Sequence, residues 1–182
     1  MEIFKSPANC ITSLRMVGTI AMLFTTPFSK AFYVLYTFSG ITDVLDGIVA
    51  RATGMASSIG AKLDSIADLL FYTVMMIKIL PYLWEHLPVE IWYFVGAILI
   101  ARAITYTIAA KKYNQLASLH TYANKLTGLA VFSIPYYIVF DSVALGCSIG
   151  VCVIAAWAAI EELLIHLRED THDSRRKSIF IK

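Results

Sequence analysis

Six stretches of this sequence, roughly 10–27, 30–51, 58–83, 89–110, 121–140 and 143–165, are apolar almost without interruption. Each runs close to the ~20 residues that a helix needs to cross the hydrocarbon of a bilayer. In lipid every backbone amide must be satisfied inside the protein, so runs of this length point to helices. The breaks between them are short: TTPFSK at 25–30 contains Pro27, WEHLPVE occupies 84–90, and FDS at 140–142 is a bare turn. Charged residues make up 15% of the chain against about 25% in soluble domains, and the mean hydropathy is +0.69. The expected fold is an all-α integral membrane protein of six transmembrane helices, residues 1–182 forming one domain with a polar tail from about 166 to 182.

The basic residues orient these spans. Arg51 and Lys62 flank the second loop, Lys111 and Lys112 open the fourth, and Arg168, Arg175, Arg176 and Lys177 crowd the tail. The opposite loops hold Lys30 beside Glu85, Glu90 and Asp141. Positive loops stay cytoplasmic, so both termini and the loops near 55 and 115 are expected there, in what would be a bacterial plasma membrane. Tyr33, Tyr36, Tyr82, Trp84, Trp92 and Tyr93 then form an outer aromatic belt, toward which Lys78 snorkels. A net charge of +2 gives no argument for nucleic acid, and the start MEIFKS lacks the features of a signal peptide. Cys10, Cys147 and Cys152 lack metal-ligand spacing and read as buried thiols, while His86, His166 and His172 read as isolated, solvated residues.

Against this apolar background, DVLDGIVARATGMASSIGAKLDSIAD at 43–68 carries Asp43, Asp46, Asp64 and Asp68. A buried carboxylate without a partner is costly, so four together require a function. Asp43 and Asp46 are three residues apart on one helix face, and Gly60, Asp64 and Asp68 repeat at intervals of four on the next helix. A short loop makes the two helices antiparallel neighbours, so the carboxylates should converge within reach of the cytoplasm. Hard oxygen ligands on rigid helices suit Mg²⁺ or Mn²⁺, and two such ions bridged by shared carboxylates are expected. Gly47 and Gly60 clear the helix surface, and Arg51 supplies a cation suited to phosphate. Metals, a cleared backbone and an arginine together describe a pyrophosphate site.

The stretch fits D-x2-D-G-x2-A-R-x8-G-x3-D-x3-D at all eight fixed positions, a chance event on the order of 10⁻¹⁰ per start site at average residue usage. This pattern resembles the signature of the CDP-alcohol phosphotransferase family, carried here by Asp43, Asp46, Gly47, Ala50, Arg51, Gly60, Asp64 and Asp68. NCITSLR, with Asn9, Thr12 and Arg15, is similar to the family's N-x2-T-x2-R start to the first membrane helix. MEIFKSP departs from the family, whose members often begin with an amphipathic surface helix. The resemblance implies a homodimer with a dinuclear metal site formed by Asp43, Asp46 and Asp64, with Asp68 beside them as metal-associated general base. It further implies that Gly47, Ala50 and Gly60 let the CDP moiety lie against the helices, that Arg51 touches its phosphates, and that Asn9, Thr12 and Arg15 close the pocket. The implied reaction is transfer of a phosphatidyl group from CDP-diacylglycerol to a small alcohol, with release of CMP.

The acceptor is read from the fourth span and the loop beyond it. An arginine inside a span needs an anion, and Arg102 is accompanied by Lys111, Lys112, His120 and Lys125. Arg102, His120 and Lys125 are the candidate acceptor residues, and glycerol 3-phosphate is the favoured acceptor, as in phosphatidylglycerophosphate synthases. Inositol phosphate, inositol and serine are the alternatives. Two other classes are a cation transporter that passes ions along the carboxylates and a scaffold in which they are structural. Gly146 and Gly150 make a small-xxx-small pair that alone indicates no dimer surface.

Overall fold

The computed structural model describes residues 7–53, 58–113, 119, 121–169 and 177–179. They form α1 (Pro7–Leu23), α2 (Lys30–Thr53), α3 (Ser58–His86), α4 (Val89–Tyr113), α5 (Tyr122–Tyr137) and α6 (Asp141–Arg168), with no strand among the described residues. Among the described residues, four stretches are long and apolar enough to cross a membrane: Lys30–Ala50, Lys62–His86, Val89–Tyr113 and Asp141–Arg168. α1 and α5 end four and three residues before the expected boundaries, at Leu23 and Tyr137. The reason is local. After α1 the chain turns through Pro27 and through Phe28 at φ 62°, and Ser29 caps α2 by accepting from the Phe32 amide at 3.2 Å. At the other end, α5 stops two residues beyond Pro135.

The chain divides into two compact units, residues 1–85 and 86–182. In the first, α1 packs along α2. The buried face of α2 repeats with helical period as Phe32, Tyr36, Ser39, Thr42 and Asp46, and α1 meets it with Asn9, Thr12, Arg15, Thr19 and Met22. α2 meets α3 where Tyr36 stacks on Phe71 at 5.5 Å, and Phe32, one turn earlier on α2, stacks on Tyr36 at 5.7 Å. Tyr36, expected in the outer belt, is 2% exposed because this stack encloses it, whereas Trp84 and Tyr93 are exposed. The Lys78 ammonium reaches past the end of α1 and donates to the Thr25 carbonyl at 2.7 Å.

In the second unit, α4 and α5 both pack on α6. Ala109, Ala158 and Ala159 are buried there and let helices approach closely. Lys112 donates to the His166 carbonyl at 3.1 Å, capping the last turn of α6. Two expectations are corrected. Cys10 and Cys147 are exposed and Cys152 half-buried, because apolar neighbours along a lipid-facing helix do not make a protein core. His166 is buried rather than solvated, since α6 continues to Arg168 and brings the imidazole against the Tyr113 ring at 5.5 Å.

Candidate active site

The site is built from three helices of the first unit. Helical spacing puts Asp43 and Asp46 on one side of α2 and Asp64 and Asp68 on one side of α3, and all four acids turn toward Arg15 of α1. The Arg15 guanidinium donates to Asp43, to Asp64, and to Asp68 at 2.9 Å, and lies 3.5 Å from Asp46. Its side chain is 2% exposed, whereas those of Asp43, Asp64 and Asp68 remain 49%, 46% and 45% open. Asp46 is the buried acid of the group and accepts from the Thr12 hydroxyl at 2.8 Å. The Ala8 carbonyl lies 3.0 Å from the same hydroxyl, whose single proton goes to the nearer, charged Asp46.

One guanidinium among four carboxylates leaves an excess of negative charge, open on one side and closed by α1 on the other. Oxygens of Asp43, Asp64 and Asp68 lie within 4.8 Å of one another. Opposite ligands on Mg²⁺ stand about 4.2 Å apart, so a small inward movement of these side chains suits a hard divalent cation. The buried guanidinium shows that the same oxygens already gather around positive charge.

The structure thus brings together the four aspartates, Thr12 and Arg15. Asn9 is buried one turn before Thr12 on the same face of α1, and its carbonyl accepts from Ser13 at 2.8 Å. Gly47, Ala50 and Gly60 are half-buried on the flanking turns of α2 and α3. Arg51 is helical but its side chain lies outside the description, and His120 lies outside the described residues. Sequence reasoning assigned Arg15 to the nucleotide. Its pairing with every acid was missed, although an arginine on a helix face with Asn9 and Thr12 had to find an anion.

In the second unit, Arg102 has its anion within the chain. It lies 3.3 Å from a Glu162 carboxylate oxygen and donates to Asn124 Oδ1 at 2.9 Å. Lys125, exposed on the first turn of α5, follows directly on Asn124. Glu162 was also missed, because EELLIHLRED reads as the start of a polar tail whereas both its glutamates are buried.

The sequence profile described as CDP-alcohol phosphatidyltransferase matches residues 6–161. Over 88 residues the chain is 32% identical to a CDP-diacylglycerol--glycerol-3-phosphate 3-phosphatidyltransferase of Wigglesworthia glossinidia brevipalpis, covering 44% of this chain and 48% of that protein. A protein of the same name from Pseudomonas fluorescens is 31% identical over 104 residues, 53% of this chain and 50% of the relative. A cardiolipin synthase (CMP-forming) / mitochondrial hydrolase fusion protein of Schizosaccharomyces pombe is 33% identical over 78 residues, 42% of this chain and 13% of the relative. The chain therefore spans half or less of the length of these relatives. No solved structure matches.

Proposed function

The chain belongs to the CDP-alcohol phosphatidyltransferase family, and from that premise we propose that it transfers a phosphatidyl group from CDP-diacylglycerol to a hydroxyl of glycerol 3-phosphate, releasing CMP. The observation that carries the reading is the meeting of Asp43, Asp64 and Asp68 oxygens within 4.8 Å, beside Asp46 and on two predominantly apolar helices. The names of the two bacterial relatives support glycerol 3-phosphate as the acceptor.

The roles are those the family resemblance implies, and the meeting of the four acids around Arg15 supports them. Asp43, Asp46, Asp64 and Asp68 would hold two divalent cations, Mg²⁺ or Mn²⁺, which when bound neutralise the diphosphate and the charge on departing CMP. Asp68 is the general base: it takes the acceptor's hydroxyl proton as that oxygen bonds to the lipid-bearing phosphorus and the bond from phosphorus to CMP breaks. Thr12 and Arg15 hold the acids in register and, with Asn9, wall the nucleotide pocket. Gly47, Ala50 and Gly60 leave room for the nucleotide along α2 and α3, and Arg51 engages its phosphates. Arg102, His120 and Lys125 are the acceptor-side cations. The reading takes residues 1–182 as one domain of a homodimer, with six spans, cytoplasmic termini and a site open to the cytoplasm. Extensive exposure of large apolar residues, such as Val34, Leu69, Leu99, Ile100 and Val153, supports a lipid surround.

The test is purified protein in lipid, supplied with CDP-diacylglycerol, Mg²⁺ or Mn²⁺, and a panel of acceptors, with CMP and lipid products measured. Glycerol 3-phosphate should give phosphatidylglycerophosphate, and Asp68→Asn should stay folded with no CMP release. Turnover by Asp68→Asn at the wild-type rate removes the base assignment. The likeness to the cardiolipin synthase fusion favours a second reading in which the acceptor hydroxyl is carried on a phospholipid, so phosphatidylglycerol belongs in the panel. Cation flux through proteoliposomes without nucleotide would instead support a transporter.

A further inference from the structure

Glu162 is 1% exposed near the end of α6, and the proposed chemistry gives it no task. A carboxylate so deeply buried persists only when its lone pairs are filled. One oxygen accepts from the Leu119 amide at 3.0 Å. The other accepts from Arg102 at 3.3 Å and from the Asn124 side-chain amide at 3.1 Å. These donors come from the middle of α4, the connection after it and the first turn of α5. The ring then closes on itself, since Arg102 also donates to Asn124 Oδ1 at 2.9 Å and Asn124 donates to the Leu119 carbonyl at 2.8 Å. The buried Thr121 caps α5 by accepting from the Asn124 amide at 3.2 Å, and its carbonyl takes the Lys125 amide at 3.1 Å.

The burial is unequal. Glu162 is closed off, yet the Arg102 side chain is 21% exposed. Its five N–H groups also exceed what Glu162, Asn124 and the Tyr106 hydroxyl take up, so the fork retains donors for an incoming anion. Stability alone is a weak reason to keep such a pair, because apolar replacements of both partners are often neutral.

We propose that Glu162 is a positioning residue for the phosphate of the acceptor: it fixes the Arg102 fork and, through Leu119 and Asn124, the turn that carries Lys125. The proposal rests on the glycerol 3-phosphate reading above. Its negative charge does not attract the phosphate; it orients the cations that do.

Glu162→Gln should raise the KM for glycerol 3-phosphate about 10-fold or more, as expected for a lost charged hydrogen bond, with kcat and the KM for CDP-diacylglycerol nearly unchanged. Arg102→Ala should raise the acceptor KM as far, and adding Glu162→Gln to it should raise it no further. Equal increases for both substrates, or independent effects in the double variant, overturn the proposal. If Glu162→Gln does not fold, Asn124→Ser opens the same ring without stranding a charge and must give the same split between the two KM values. If the wild-type protein shows no CMP release that depends on glycerol 3-phosphate, the reaction is misassigned. The positioning role is then read from hydrogen exchange at the Leu119 and Asn124 amides, where unchanged protection in Glu162→Gln overturns it.

Discussion

Arg15→Met removes the buried guanidinium among the four aspartates while keeping most of the side-chain volume. The guanidinium touches Asp43, Asp64 and Asp68 and lies 3.5 Å from Asp46. Three of the acids place oxygens within 4.8 Å, and at that spacing each like-charge pair costs about 3.5 kcal/mol at an effective dielectric of ~20. Their side chains are nearly half open, so solvent screens much of this. The better guide is the cost of removing one partner from a buried ion pair, about 3–5 kcal/mol. On the proposed metal site, divalent metal would oppose that loss by binding the folded state, contributing about 2.7 kcal/mol at a concentration 100 times its Kd. The expected result is a variant that melts well below wild type in EDTA and gains more than wild type from Mg²⁺ or Mn²⁺. Its carboxylates no longer have a guanidinium to displace. Combining Arg15→Met with Asp43→Asn should recover part of the EDTA deficit. Equal melting of Arg15→Met and wild type in EDTA refutes the charge argument, and loss of the metal response in the variant refutes the carboxylates as the metal ligands.

Thr12→Val deletes the hydroxyl that donates to Asp46 at 2.8 Å and should cost about 1.5–3 kcal/mol, the range for a hydrogen bond to a charged group, read by thermal melting in EDTA. Ser178 donates to Glu161 at 2.8 Å and the Ile179 amide donates to the same oxygen at 3.1 Å, so deleting the tail after Glu169 should lower the melting temperature, and Glu161→Leu should largely abolish that sensitivity. Lys78→Met loses only the bond to the Thr25 carbonyl and should change stability by about 1 kcal/mol or less, with CMP release unaffected.

Much of this was legible because apolar run length and carboxylate spacing are local properties. The helices begin and end within a few residues of the expected spans, and intervals of three and four placed the aspartates on matching faces. What was not legible depended on a distant partner. Arg15 meets Asp68 across 53 residues and Arg102 meets Glu162 across 60, and no periodicity records such pairings. Burial misled in the same way: a cysteine in an apolar run faces outward, while a glutamate pair near a helix end is enclosed by chain that returns over it. The early end of α1 is followed by a turn with a left-handed residue, Phe28, which composition gives no reason to expect.

The two polar centres, one in each unit, follow one rule with opposite outcomes. Around Arg15 the cation is buried and the acids are open, so the surface offered to a ligand is negative. Around Arg102 the acid is buried and the cation is partly open, so the surface offered is positive. On the proposed reaction, the negative surface would serve the metal-bound diphosphate and the positive surface the phosphate of the acceptor alcohol, each with its counter-charge buried. The two should therefore fail separately. Asp43→Asn should weaken the metal response in melting while leaving inorganic phosphate as good a competitor of glycerol 3-phosphate in residual turnover. Arg102→Ala should do the reverse. A variant at either centre that shifts metal and phosphate dependence to the same degree would show that the centres are not distinct in function.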